Sequence, residues 1–134
     1  MDYLFAAVML SNPLFWMEMQ FLNEKRCAEL APLMAVWKAH RDVLVKLDNQ
    51  PIGEKPSGRS WTGFACRDGG KTKYLLVFRE VTDRASYRFD VADICPSSNV
   101  RVLASNGQVC ADAEDGSVHV TFDGERSYAL LQID

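Results

Sequence analysis

Residues 117–133 read SVHVTFDGERSYALLQI, and this stretch indicates the fold most clearly. Apolar residues at 118, 120 and 122 alternate with polar residues, and a period of two predicts a strand with one buried and one solvated face. Asp123-Gly124 then supplies a turn, because Asp-Gly readily adopts the positive φ angles of tight turns. Ser127–Ile133 follows as a second, more continuously apolar strand.

The same character extends back through most of the chain. Five further stretches favour aromatic and β-branched residues and are predicted strands: Arg59–Cys66, Tyr74–Thr82, Ser86–Val91, Val100–Ala104 and Gln108–Ala111. Turn signals lie between several of them, at Asp68-Gly69-Gly70, Asn106-Gly107 and Asp115-Gly116. We therefore predict a mainly β fold, an antiparallel β-sandwich of about seven strands or a small barrel.

The beginning of the chain has a helical pattern instead. From Asn23 to Leu47 apolar residues recur at steps of three and four, and Asn23 is a suitable N-cap. Pro32 predicts either a kink or a restart of this helix. Asp2–Leu10 predicts a short buried helix. The predicted organisation is a helical segment at 1–47, a Pro- and Gly-rich linker loop at 48–58, and a sandwich at 59–134.

Charge and cysteine content exclude several classes of protein. The net charge of −3 argues against a nucleic-acid or anionic-membrane surface. The apolar run Tyr3–Leu22 contains Glu18 and lacks a basic leader, so we interpret it as a surface for a protein partner, neither signal nor membrane anchor. The four cysteines would allow two disulfides, but a core of this size does not need them, and we expect reduced thiols and a cytoplasmic protein.

The familiar catalytic and metal-binding motifs are missing from the sequence. The cysteines form no Cys-x-x-Cys pair and His40 and His119 are the only histidines, so we expect no metal site. No Gly-x-Ser-x-Gly or His-Glu-x-x-His motif occurs. Gly69-Gly70-Lys71-Thr72 lacks the spacing of a phosphate loop and is predicted to be a hairpin turn.

Two residues remain as candidates for carbohydrate chemistry. Glu18 lies among apolar residues that would raise its pKa, although a helix-face or capping carboxylate is the simpler interpretation. Glu80, Asp90 and Asp93 are expected on solvated faces or turns. Trp61 opens a strand beside the Pro- and Gly-rich loop, where it would stack on a sugar if exposed, or belong to the core if buried.

The order of segments resembles a known family. An Asn12-Pro13-Leu14-Phe15-Trp16-Met17-Glu18 segment, a helix over residues 28–41, the strand start Ser60–Phe64 and the strand Tyr74–Glu80 follow one another. This is similar to the C-terminal end of family 36 (melibiase-type) α-galactosidases, where the last helices of a (β/α)₈ barrel precede an antiparallel β-sandwich. The resemblance covers essentially the whole chain, but it includes no catalytic signature.

The resemblance implies a non-catalytic domain that stabilises the barrel and takes part in oligomer contacts. The family's two catalytic aspartates lie upstream of anything that matches this chain, so no catalytic or cofactor-binding residue is carried over, and no cofactor is expected. The expected partners are an upstream barrel and further copies of the chain. The residues expected to face them are Leu14, Phe15, Trp16, Met17, Phe21 and Trp37. The alternatives are a carbohydrate-binding module using Trp61 and a free-standing protein–protein interaction domain.

Overall fold

A computed structural model describes residues 1–13 and 22–134. Within those residues the chain forms two helices and eight strands. The helices are α1 (Asp2–Ala6) and α2 (Glu24–Leu44). The strands are β1 (Asp48–Gly53), β2 (Trp61–Asp68), β3 (Lys71–Arg79), β4 (Ser86–Asp90), β5 (Val100–Ser105), β6 (Val109–Glu114), β7 (Ser117–Phe122) and β8 (Ser127–Ile133). They divide between two compact units, Met1–Lys46 and Leu47–Asp134.

The helical unit is built around α2. Asn23 is its N-cap, because the side-chain Oδ1 accepts a hydrogen bond from the Arg26 backbone N–H at 2.9 Å. The helix continues without interruption through Pro32, so the predicted restart is wrong. The Pro32 side chain is exposed, and Leu30, Leu33, Trp37 and Leu44 are the buried residues of the helix.

Trp37 joins α2 to the first residues of the chain. Its indole Nε1–H donates to the Met9 carbonyl at 2.9 Å. The Phe5 ring meets the Trp37 ring edge-on, with centroids 5.7 Å apart. A buried indole needs such an acceptor. The early segment therefore packs on α2, although regular helix extends only from Asp2 to Ala6 and ends before the predicted boundary at Leu10.

The second unit is the predicted antiparallel sandwich. One sheet has the strand order β1-β2-β3-β8-β5 and the other the order β4-β7-β6. All pairs among the described strands are antiparallel. Alternate residues of both sheets meet in one core, whose members include Trp61, Leu75, Val77, Phe89, Val118, Val120, Phe122, Leu131 and Ile133. The mainly β prediction is thus confirmed.

The predicted linker loop contains a strand. Asp48–Gly53 pairs with β2 from Asp48 opposite Arg67 to Gly53 opposite Thr62. Pro51 misled the prediction, because proline cannot donate to a strand ladder. It is accommodated here since β1 is an edge strand, with one side free of any described neighbouring strand. Gly53 ends the strand with a positive φ of 79°.

Two predicted turns form hairpins, and two carry the chain from one sheet to the other. Gly69 and Gly70 have φ angles of 54° and 86°, as a two-residue hairpin turn with both angles positive requires. Asp115-Gly116 closes the β6–β7 hairpin. Asn106-Gly107 instead leads from β5 in the larger sheet to β6 in the smaller one, and Asp123-Gly124 leads back to β8. A turn signal marks a change of direction but does not specify the next partner.

The central strands β3 and β8 of the larger sheet are buried on both of their faces. Tyr74, Leu76 and Phe78 point away from the sandwich core, and all three are buried. Their antiparallel partners on β8 include Tyr128 and Leu130, which are buried as well. A strand that is apolar at consecutive positions is typical of a sheet covered on both sides. This explains the uninterrupted apolar run in β3.

Candidate functional site

A shallow cleft of about 240 Å³ opens in the sandwich unit beside the β4–β5 loop. That loop contributes Asp93, Cys95, Ser97 and Ser98, while Thr72 comes from the start of β3 and Asp134 follows β8. Concave sites with convergent polar groups are the usual place to look for ligand binding or catalysis. The residues that line this cleft therefore define the chemistry that it can support.

Asp93 fastens the loop to the start of β3. Its carboxylate accepts the Thr72 backbone N–H at 2.6 Å and the Thr72 hydroxyl at 2.8 Å. An Arg67 Nη2 lies 3.2 Å from Oδ1. Partial burial would raise the pKa of Asp93, but the two bonds from Thr72 and the Arg67 charge bring that pKa below its ordinary value. Asp93 is therefore an ionised carboxylate whose oxygens already accept hydrogen bonds from Thr72 and Arg67.

Cys95 is the nucleophilic group of the cleft. Its Sγ lies 3.0 Å from the Ser97 hydroxyl and 3.5 Å from that of Ser98, and the side chain is exposed. Hydrogen bonds from Ser97 and then Ser98 lower the pKa of the Cys95 thiol. A nucleophile of this kind is activated by a neighbouring base or by a lowered pKa, and Cys95 has the second feature. The described lining of the cleft contains no histidine.

Both histidines lie elsewhere. His119 is on β7, where its Cα partners are Arg88 on β4 and Asp112 on β6, and His40 is on α2. His119 alternates with the buried residues Val118 and Val120 and is itself half-buried. Thiol reactivity at Cys95 is the chemistry that these cleft residues support most directly, and the Lys71 and Asp134 side chains lie in the same lining.

The remaining prominent acids hold the loop between β1 and β2. A Glu80 carboxylate oxygen accepts the Ser60 and Ser57 backbone N–H groups at 2.8 and 3.2 Å. Glu54 accepts the Trp61 backbone N–H at 2.9 Å and pairs with Arg84 at 2.6 Å. These carboxylates therefore bind backbone groups and one guanidinium, contacts that stabilise the loop.

The structure corrects the sugar-stacking hypothesis for Trp61. The indole is fully buried, with 0% of its surface exposed. It lies on the inward face of β2 near Phe122 and Phe89, with ring centroids 5.5 and 6.2 Å away. A ring whose faces are covered by core side chains is not available to a pyranose, so the core interpretation of Trp61 is correct.

The residues expected at an interface are placed only in part. Trp37 is buried against Phe5 and Met9 inside its own unit and does not present its ring to a partner. The remaining predicted interface residues lie outside the described residues: Leu14, Phe15, Trp16, Met17 and Phe21. Glu18, the candidate acid, lies outside them too.

Sequence reasoning missed two structural acids. Thr72 binds Asp93 from 21 residues away in the sequence, and Ser60 binds Glu80 from 20 residues away. Local sequence patterns therefore do not predict these contacts. The signal available in the sequence is positional: each acid lies in a loop or directly after a strand, where carboxylates often accept backbone N–H groups of a neighbouring segment.

No protein-family model, no curated protein and no solved structure matches this chain. In residues 1–13 and 22–134 no helix is long and apolar enough to cross a membrane. The same residues contain no group of three or more His, Cys, Asp or Glu side chains arranged to hold a metal ion.

Proposed function

We propose that this chain is a non-catalytic accessory domain that stabilises a larger catalytic partner through contacts made by its helical unit. The partner class comes from the sequence resemblance, which points to the (β/α)₈ barrel of a retaining α-galactosidase of family 36. On this proposal the barrel hydrolyses terminal α-galactosides in the cytoplasm without a cofactor, and the chain contributes assembly and stability.

The distribution of exposed apolar side chains carries the proposal. Among the described residues, the large hydrophobic side chains with the greatest exposure in the helical unit are Leu4, Val43, Val8 and Val45, with exposed fractions of 68%, 49%, 47% and 47%. The sandwich unit is nearly twice as long and has two such residues in its described length, Val81 and Val102. Exposed apolar side chains are therefore more frequent in the helical unit than in the sandwich, which supports placing a protein contact on the helical unit.

The sandwich edges favour the same conclusion, because three of the four edge strands, β1, β5 and β6, carry a feature that discourages pairing with another strand. Edge strand β1 contains Pro51, which has no backbone N–H to donate. The β5 register is shifted by a bulge between Val102 and Ala104. The edge strand β6 ends in Asp112 and Glu114, which are exposed. Assembly through the helical unit is therefore favoured over strand addition.

The acids support a non-catalytic role. Asp93, Glu54 and Glu80 each accept hydrogen bonds that hold loops in place. The carbohydrate-binding alternative has lost its candidate platform, because Trp61 is buried in the core. The free-standing interaction domain uses the same exposed apolar side chains, and it differs from the main proposal only in the identity of the partner.

The proposal is tested by mixing the chain with a family 36 α-galactosidase from which the C-terminal sandwich has been removed. Multi-angle light scattering after size exclusion should show a complex of the two. The double variant Leu4→Ser, Val43→Ser should weaken it, since both side chains are exposed in the helical unit. The matched double variant Val81→Ser, Val102→Ser, on the sandwich, should bind as the parent chain does.

Each other result of that experiment is informative. A homo-oligomer that ignores the barrel and is disrupted by the helical-unit variant would support the free-standing interaction domain instead. Monomers in every mixture, or equal loss in both double variants, would refute assembly through the helical unit. Titration with galactose, followed by tryptophan fluorescence, then tests the sugar-binding alternative.

A further inference from the structure

Edge strand β4 differs from the other three edge strands of the sandwich. It has β7 on one side and no described strand on the other. Its sequence, Ser86–Asp90, contains no proline, and its register with β7 is unshifted. Its charged side chains, Arg88 and Asp90, have opposite signs, whereas those of β6 are all acidic and would repel a second β6. The features that discourage strand addition at β1, β5 and β6 are therefore missing from β4.

The backbone of β4 directs every second residue away from the smaller sheet. The Ala85 carbonyl accepts the Phe122 N–H at 3.0 Å, and the Val91 N–H donates to the Gly116 carbonyl at 2.9 Å. In an antiparallel pair, residues that bond to the neighbouring strand alternate with residues whose N–H and C=O groups point to the other side. The odd-numbered residues therefore bond to β7. The backbone groups that point to the open edge are those of Ser86, Arg88 and Asp90.

Arg88 and Asp90 lie on the outer face of the smaller sheet, on either side of the buried Phe89, and both side chains are exposed. Arg88 Nε donates to the Ser117 hydroxyl at 2.8 Å and lies 3.6 Å from Glu114 Oε2. The two Nη groups of Arg88 and the carboxylate of Asp90 have no hydrogen-bond partner among the described residues. Both charges are therefore available to a strand placed beside β4.

We propose that β4 pairs antiparallel with β4 of a second copy of this chain, about a twofold axis at Phe89. In this register Arg88 of each copy lies directly opposite Asp90 of the other, so an ion pair forms on each side of the axis. Facing pairs of opposite charge stabilise antiparallel strands, whereas facing like charges destabilise them. A register centred on Arg88 would instead place two guanidinium groups against each other. The smaller sheets of the two copies then form one continuous sheet.

This inference goes beyond the proposed accessory role. It assigns a self-complementary interface to the sandwich unit, and the proposed contact with a barrel stays with the helical unit. A short edge strand buries little surface, and interfaces of that size are weak and transient. We therefore expect a dimer with a dissociation constant on the order of 100 μM.

Charge reversal with cross-rescue tests this register, with sedimentation velocity measured from about 10 μM to about 1 mM chain. Arg88→Asp places carboxylates opposite each other on both sides of the axis, and Asp90→Arg does the same with guanidinium groups. Each variant alone should self-associate about tenfold or more weakly than the parent chain, because attractions become repulsions. An equimolar mixture of the two variants restores opposite charges at every facing position, and it should form a heterodimer with the parental affinity.

Asp112→Arg is the matched control, since it reverses an exposed charge on edge strand β6 and should leave dimerisation unchanged. Circular dichroism verifies that each variant is folded. If Arg88→Asp or Asp90→Arg fails to fold, amide exchange of the parent chain decides by NMR. The amides of Ser86, Arg88 and Asp90 should then gain protection as the chain concentration rises.

Four results would overturn the proposal. They are a parent chain that stays monomeric at about 1 mM, undiminished self-association of both single variants, a mixture that recovers no affinity, and edge amides whose exchange is independent of concentration. Self-association that persists in both variants would place the contact outside β4, whatever the result with the barrel. The outcome for this interface is thus independent of the test of the accessory role.

Discussion

The four cysteines occupy different environments, and their reactivity should differ accordingly. The Cys95 thiol is exposed and has a lowered pKa because the Ser97 and Ser98 hydroxyls hydrogen-bond to it. Cys66 is buried on β2, and burial raises its pKa to about 12. The thiolate is the reactive form, so these two side chains mark the extremes.

We expect iodoacetamide at pH 7.5 to modify Cys95 before Cys27 and Cys110, and to leave Cys66 unmodified while the protein is folded. Peptide mass spectrometry over time gives each rate. Cys95→Ser should remove the fastest phase, and Cys110→Ser should retain it. Labelling of Cys66 as fast as Cys95 in native protein would contradict the burial of Cys66 on β2.

Asp93 should contribute to stability through its bonds to Thr72 and Arg67. We expect Asp93→Asn to lower the free energy of unfolding by about 1–2 kcal/mol at pH 7, because it weakens charge-assisted hydrogen bonds. The pKa of Asp93 is lowered, so its contribution is present above the ordinary aspartate range and disappears as the pH falls through the folded value. The difference in unfolding free energy between Asp93→Asn and the parent chain should therefore become smaller in acid.

Urea unfolding at pH 7 and at pH 3 measures this difference. Glu125→Gln serves as the control, since it removes an exposed carboxylate that is not part of the loop contact. A constant gap at both pH values would mean that Asp93 acts through its shape and not through its charge.

At the scale of elements, close approach between β2 and β3 depends on Gly63. A Cβ at this position would lie 2.5 Å from the Leu76 carbonyl oxygen and 3.1 Å from the Val77 Cα. Both contacts are to backbone in the middle of a sheet, so neither can move aside cheaply. Gly63→Ala should lower the free energy of unfolding by about 1–3 kcal/mol, as overpacking does.

Gly124 provides the matched control for that substitution. A Cβ there would meet only the Ser127 hydroxyl, at 3.9 Å, and the φ angle of Gly124 is not in the left-handed region. Thermal unfolding monitored by circular dichroism compares the two alanine variants. Equal melting temperatures for both would contradict the register of β2 against β3.

Strands were predicted well where apolar alternation was strong, and poorly where a strand lies at an edge. Ser127–Ile133 has the bounds in the structure that the sequence predicts. Asp48–Gly53 was predicted as linker because it contains Pro51 and Gly53, yet an edge position tolerates both. Local composition indicates only the intrinsic preference of a segment. Residues 48–53 form a strand because they pair with β2.

The candidate site was less predictable than the fold, for a physical reason. Asp93 meets Thr72 only because the β4–β5 loop folds back onto the start of β3, a contact between distant parts of the sequence. Trp61 could have been assigned correctly, since it precedes Gly63 and Ala65 at a period of two and shares their inward face. The neighbouring Pro- and Gly-rich loop suggested that Trp61 is exposed, but its ring is buried in the sandwich core.

At the scale of the whole molecule, the two units differ in the apolar surface that they expose. The sandwich encloses one continuous core of alternating apolar residues, and three of its edge strands, β1, β5 and β6, carry features that discourage pairing. The helical unit carries the most exposed apolar side chains of the described residues, led by Leu4. The proposed accessory role accounts for this difference, since exposed apolar surface favours a protein partner.

The central claim is that the chain stabilises a catalytic partner and does not itself hydrolyse sugars. Its most direct test is the hydrolysis of 4-nitrophenyl α-D-galactoside by the sandwich-deleted family 36 barrel, followed during incubation at elevated temperature with and without the chain. We expect the chain alone to give no hydrolysis above buffer and to lengthen the half-life of the barrel's activity. Hydrolysis by the chain alone that scales with its concentration, or an unchanged half-life, would contradict the claim.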